Sequence, residues 1–161
     1  MSVWTHIVGN IRLDDFSDFD GKEHKNRLDD LKDILGPILT FNMMWNGHTI
    51  KEEDVKLPIG SEGSMKYSIT DLLDIDEHAT SSIFRWSIGF FGDLRSYNNL
   101  DEIEQWLSKI TKEFEEKGLF IRDAVFEVEV ECEGPHCIFY FDDDKEVFKK
   151  IYIREGKKNN E

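Results

Sequence analysis

Three glutamates at alternate positions, Glu127, Glu129 and Glu131, are the most regular charged feature of this chain. Alternate residues of a strand point to one face and stand roughly 6.5 to 7 Å apart, twice a rise of about 3.4 Å per residue. On a strand the three carboxylates would therefore form a rigid row of negative charge, able to imitate a phosphate backbone. The same row could equally be a solvated face whose charges block edge-to-edge aggregation. Further acids at Glu133, Asp142, Asp143 and Asp144 would lengthen the row if a following hairpin turned back beside it.

Two loops offer a different chemistry. The stretch Leu57-Pro58-Ile59-Gly60-Ser61-Glu62-Gly63-Ser64 could turn backbone N–H groups and hydroxyls toward an anion. It lacks the Gly-Lys-Ser/Thr ending of a P-loop. Phe91-Gly92-Asp93-Leu94-Arg95-Ser96-Tyr97 leads into a helix, where Arg95 and Tyr97 could grip a phosphate or an aromatic ring, with Asp93 free to pair with Arg95 instead. A nucleotide-like ligand would be sought at Ser61, Glu62, Ser64, Asp93, Arg95 and Tyr97. Gly and Ser in the first stretch, and Gly92, Asp93 and the following Asn98 at the second, also suit ordinary connections.

Metal and hydrolytic chemistry lack their patterns. Cys132 and Cys137 enclose Gly134, Pro135 and His136, with no second Cys/His pair to complete a zinc site. Asp142-Asp143-Asp144 misses the alternating ligands and closing Glu of a calcium loop. There is no Gly-x-Ser-x-Gly elbow, and His6, His24, His48 and His78 are scattered singly. The expectation is no cofactor and no metal, with a metal-dependent hydrolase built on clustered acids ranked below binding.

The chain has 161 residues and a formal charge of −14, from 20 Lys plus Arg against 34 Asp plus Glu. That balance repels nucleic-acid phosphates and anionic membranes and favours a basic protein partner. The apolar runs fall far below the roughly 20 residues of a membrane span. With no leader and two cysteines read as free thiols, the expected setting is the cytoplasm. No repeat or linker divides the chain, so residues 1–154 read as one domain and 155–161 as a polar tail.

The elements that must position these groups follow from periodicity. Val3, Thr5, Ile7, Ile11 and Leu13 share one parity of an opening strand. Leu28, Leu31, Ile34 and Leu35 recur at helical spacing before Gly36-Pro37 stops the helix. Residues 38–60 hold an apolar run, Phe41 to Trp45, and an Asn46-Gly47 turn that suits a short hairpin. Strands are expected at Met65–Ile69 and Ile83–Phe91. Asn98 or Asn99 caps a helix whose Leu100, Ile103, Trp106, Leu107, Ile110 and Phe114 form one stripe, ended by Gly118. The next strand turns Ala124, Phe126, Val128 and Val130 inward and Glu127, Glu129 and Glu131 outward, and segments near 138–141 and 148–153 add two more. The order β-α-β-β-α-β with extra C-terminal strands predicts an α+β, ferredoxin-like two-layer sandwich: a mostly antiparallel sheet with two helices on one face. Trp4 on the uncovered face suits burial against a second copy of the chain.

Three segments carry a family resemblance: Val3-Trp4-Thr5-His6 through Gly9-Asn10-Ile11-Arg12, Leu57-Pro58 through Gly63-Ser64, and Phe91-Gly92-Asp93-Leu94-Arg95. Together they resemble small uncharacterised accessory proteins of tailed phages of Gram-positive bacteria, over about two-thirds of the chain. The resemblance implies a setting in the host cytoplasm. Proteins of this kind often bind and disable a host factor, including defence nucleases and the nucleotide signals that activate them. The expectation is an acidic inhibitor that uses Glu127, Glu129, Glu131, Asp142 and Asp143 to dock on a basic, nucleic-acid-binding host protein. A nucleotide-sequestering protein is the alternative.

Overall fold

Alternating burial makes β1 (Trp4–Asp15) the centre of the fold: Thr5, Ile7, Ile11 and Leu13 are buried, whereas Val8 and Arg12 on the other face are exposed. The computed structural model describes residues 3–15, 23–39, 55–71 and 84–156. After β1 come α1 (Glu23–Leu35), β2 (Lys66–Asp71), β3 (Phe84–Arg95), α2 (Leu100–Glu116), β4 (Leu119–Val130), β5 (His136–Asp142) and β6 (Val147–Arg154). The six strands form one sheet in the order β2-β3-β1-β4-β5-β6, and every neighbouring pair is antiparallel.

That order interleaves two split units. β1 and β2 are each antiparallel to β3 and so run parallel to one another, with α1 between them in the chain and β3 between them in the sheet. β3 and β4 stand in the same relation, with α2 between them in the chain and β1 between them in the sheet. The arrangement is α+β, with two helices against an antiparallel sheet.

Local chemistry explains where the helices start and stop. Gly36 takes a φ of 74° just past α1 and donates its N–H to Lys32 O at 2.8 Å, a left-handed closure that glycine adopts without strain. Asn99 is the N-cap of α2, accepting from the Asp101 N–H at 3.1 Å, with Asp101 and Glu102 in the first turn complementing the helix dipole. The helix ends at Lys117, and Gly118 follows with a φ of 71°.

The apolar stripe of α2 is buried throughout and meets the sheet in an aromatic cluster. Trp106 lies edge-on to Phe90 at 5.5 Å and to Phe126 at 5.8 Å between ring centroids, and Phe90 and Phe126 are 5.2 Å apart. Phe148 of β6 continues the cluster at 6.2 Å from Phe126, so the two C-terminal strands share the same core. Phe126, Val128 and Val130 are buried and Glu127 is exposed, the parity the sequence predicts.

Two strands differ in their bounds from the sequence reading. β3 does not end at Phe91 but runs to Arg95, because long β1 pairs with it to the end: Gly92 faces Ile7, Asp93 faces His6 and Arg95 faces Trp4. Gly92 permits this where the chain before β2 crosses it, since a Cβ there would lie 2.8 Å from Met65 Cα. β2 begins at Lys66 and reaches Asp71, two residues past the expected Ile69. The hairpin expected around Asn46-Gly47 lies outside the described residues.

Candidate functional site

The helices occupy one face of the sheet, and no described element covers the other. On that open face β3, β1, β4 and β5 lay their outward side chains side by side. Glu127, Glu129 and Glu131 stand there in a row on β4 and its first following residue, 51%, 46% and 41% exposed at the side chain. The sequence placed the row correctly; what it did not show is the company the row keeps.

Each carboxylate of the row meets a basic group from a neighbouring element. His6 of β1 lies between two acids, with Nδ1 2.6 Å from Asp93 Oδ1 and Nε2 3.2 Å from Glu131 Oε1. Two carboxylates facing both ring nitrogens favour the doubly protonated ring, in which both are donors. The hydrogen bond to Asp93 raises the His6 pKa above its ordinary 6.5 most strongly; burial opposes it, and a lesser hydrogen bond to Glu131 adds to the rise. His136 Nε2 lies 2.7 Å from Glu127 Oε1. Arg154 Nη2 reaches Glu129 Oε1 at 3.4 Å while its Nε donates to Gly134 O at 2.9 Å. The row is an acidic surface whose three carboxylates are contacted by His136, Arg154 and His6, not a bare ladder of charge.

Beside the row lies a groove of about 610 Å³, lined by His6, Val8, Ser64, Phe91, Asp93 and Glu129 among others. Val8 and Phe91 are more than half exposed in it, and Val125 and Ile151 are exposed farther across the face, with Glu127 between Val8 and Ile151. The register carries Asp142 and Asp143 elsewhere: Glu129 faces His136 and Val125 faces Tyr140, so the acids after Tyr140 lie toward the end of β4 remote from Glu131. There Asp142 is tied to Lys149, whose hydrogen bond holds its carboxyl below the usual range. Asp143 is exposed in the turn that follows.

The two loops do meet, and they satisfy one another. Ser61 N donates to Arg95 O at 2.9 Å, Arg95 N donates to Glu62 O at 2.8 Å, and Gly60 N is taken by Gly63 O at 3.1 Å. Glu62 also pairs with the Arg95 guanidinium. Ser64 is buried, and Gly63 sits so close to β3 that a Cβ would fall 1.9 Å from Asp93 O. Tyr97 is buried at the start of α2, where burial first and then Glu102 raise its hydroxyl pKa; its carbonyl accepts from Thr5 Oγ1. Asp93 belongs to the His6 cluster rather than to the loop. Amides and a guanidinium already bonded within the chain are poorly placed to cradle an anion.

Periodicity alone did not reveal the opposite end of the same face. A bulge lets Arg12 pair with Asp123 and Leu13 with Ile121, leaving Arg122 as the extra residue of β4. Bulges re-aim side chains: Arg122 Nη1 lies 3.4 Å from Asp14 Oδ2, and Arg85 Nε of β3 lies 3.5 Å from Asp14 Oδ1. Arg12 holds Asp123 through its Nε at 2.9 and 2.8 Å, and the three arginines border a recess of about 200 Å³. The outward parity of Arg12 was legible, but its neighbours depended on strand register.

Cys132 is exposed and Cys137 buried, and neither forms a disulfide. Among the described residues no group of three or more His, Cys, Asp or Glu side chains is arranged to hold a metal. No described helix is long and apolar enough to cross a membrane. Compared with known proteins, the chain matches no family model, no curated protein and no solved structure.

Proposed function

We propose that this chain is a noncatalytic binding protein that docks on a basic protein partner through the acidic end of its open sheet face. The observation that carries this reading is the exposed row of Glu127, Glu129 and Glu131 on a rigid central strand, next to half-exposed Val8 and Phe91. Apolar side chains supply contact area that excludes water, and carboxylates around them select a positively charged partner and speed encounter. The charge of −14 acts in the same direction at long range.

Within this reading the chain works as a phage-type accessory protein in the host cytoplasm. It inhibits a host factor, such as a defence nuclease, by occupying the basic channel that otherwise holds nucleic acid. The fold fits the ferredoxin-like group: the β2-β3-β1-β4 order and the two interleaved β-α-β units support that assignment, with β5 and β6 as an added hairpin. The nucleotide-sequestering alternative gains less support, since Arg95 is paired with Glu62 and Tyr97 is buried.

The test is a pull-down from host lysate at low and high salt, with the wild type beside the Glu127→Gln/Glu129→Gln/Glu131→Gln variant. A basic protein retained by the wild type, released by salt and absent with the variant is the expected result. Retention that neither salt nor the triple substitution alters would overturn the charge-based reading.

A further inference from the structure

We infer that the open sheet face also closes on a second copy of this chain, the two sheets stacked face to face with β1 of each running opposite to β1 of the other. This is independent of which host partner the protein binds, though both would use the same face and so would exclude one another.

The first support is exposed apolar surface. Val8 (54% exposed), Phe91 (53%), Val125 (50%) and Ile151 (55%) come from four different strands of one sheet, and no described element covers them. Val8 and Phe91 are register neighbours, and Ile138 stands beside Ile151, with Glu127 between the two pairs; exposed apolar surface among polar groups marks interaction sites. The strands measure 12, 6, 12, 12, 7 and 8 residues. At a rise of about 3.3 Å and a spacing of about 4.8 Å, they offer a face on the order of 900 Å², against roughly 800 Å² per partner in a standard interface.

The second support is the distribution of charge along the strands, which selects the occupant. One end of the face carries Asp93 and Glu131 on His6, with Glu129 beside them on Arg154, three carboxylates against one histidine and one arginine. The other carries Arg12, Arg85 and Arg122 against Asp14 and Asp123. The apolar side chains lie between the two ends. Turning one copy end for end lays the arginine end of each on the acidic end of the other, and the apolar side chains on one another. A two-fold contact is isologous, so the complementary match is made twice. Two sheets can stack in this way about 10 Å apart, with their strands within about 30° of alignment.

The experiment uses sedimentation velocity on the purified full chain over rising concentration. Three samples are compared with the wild type: Arg85→Glu/Arg122→Glu, Glu129→Arg/Glu131→Arg, and an equal mixture of the two. In a homodimer of either variant both ends meet like charge, whereas in the mixed dimer every end again meets its opposite. The wild type is expected to dimerise, each variant alone to lose at least about tenfold in dimer affinity, and the mixture to recover it. A wild type that stays monomeric throughout overturns the proposal, as do folded variants that dimerise like the wild type or a mixture of folded variants that recovers nothing. Should a reversal fail to fold, Arg85→Gln/Arg122→Gln and Glu129→Gln/Glu131→Gln remove the charge without reversing it. Each must then raise the dimer dissociation constant, and no change refutes the idea. The measurement contains no host protein, so it fails or succeeds separately from the pull-down.

Discussion

Adding one methyl group at Gly9 should destabilise the protein even though alanine suits a strand better than glycine. Gly9 is mid-strand in β1, facing Phe90 on one side and Phe126 on the other. A Cβ at this position would lie 2.2 Å from Phe126 Cδ1 and 2.6 Å from Cε1 and Cγ. Carbon atoms pack at about 3.5 to 4 Å, so the ring would have to retreat by more than about 1 Å. It has nowhere to go, being fully buried with Phe90, Trp106 and Phe148 around it at 5.2, 5.8 and 6.2 Å. Overpacking of this kind costs about 1 to 3 kcal/mol, and the smaller entropy of the unfolded alanine chain returns about 0.4 to 1 kcal/mol. With no room for the ring to retreat the cost falls in the upper half of that range, about 2 to 3 kcal/mol, so we expect Gly9→Ala to lose about 1 to 2.6 kcal/mol net in urea unfolding, with Tm falling by roughly 2 to 10 °C at about 2 to 4 °C per kcal/mol. Phe126→Leu, destabilising alone, should relieve the clash, so the double variant should beat the sum of the singles by about 1 kcal/mol or more. A Gly9→Ala protein as stable as the wild type, or strictly additive effects, would show that Phe126 does not fill the space above Gly9.

Two further outcomes follow from charged contacts. Asp15 is fully buried with Arg27 Nε 3.2 Å from its carboxylate, and Arg27 also donates to Lys117 O at 2.6 Å, tying α1 to both the sheet and the end of α2. Arg27→Met should cost about 1.5 to 3 kcal/mol in chemical unfolding by removing a charged hydrogen-bond partner from the buried carboxylate and from Lys117 O, and adding Asp15→Leu should recover part of it; a single variant as stable as the wild type would contradict this. The raised pKa of His6 means that its stabilising contribution is complete below its ordinary 6.5 and fades as pH rises through the folded value. An NMR titration should place the His6 midpoint above 6.5 and Asp93→Asn should lower it, whereas a wild-type midpoint at or below 6.5 would refute the bridging role.

The acidic row and its outward direction could be read from the sequence because strand parity is local: Phe126, Val128 and Val130 are apolar and their neighbours Glu127, Glu129 and Glu131 are not. The ends of α2 were legible for the same reason, since Asn99 and Gly118 act within one turn of the backbone they cap. The extension of β3 to Arg95 was not, because Gly92 and Asp93 have the composition of a turn and only pairing with β1 makes them a strand.

The sequence by itself determined which residues are buried on each element, through periods of two and 3.6 residues that need no knowledge of neighbours. The tertiary structure alone decided who stands beside whom. His6 reaches Asp93 across 87 residues of chain and Glu131 across 125, and the bulge that brings Arg122 to Asp14 exists only in the pairing of β1 with β4. A shift of one residue in register would turn every one of these side chains to the other face. Cross-strand chemistry is therefore set by the shared core of Phe90, Trp106 and Phe126 that locks the register, not by local pattern.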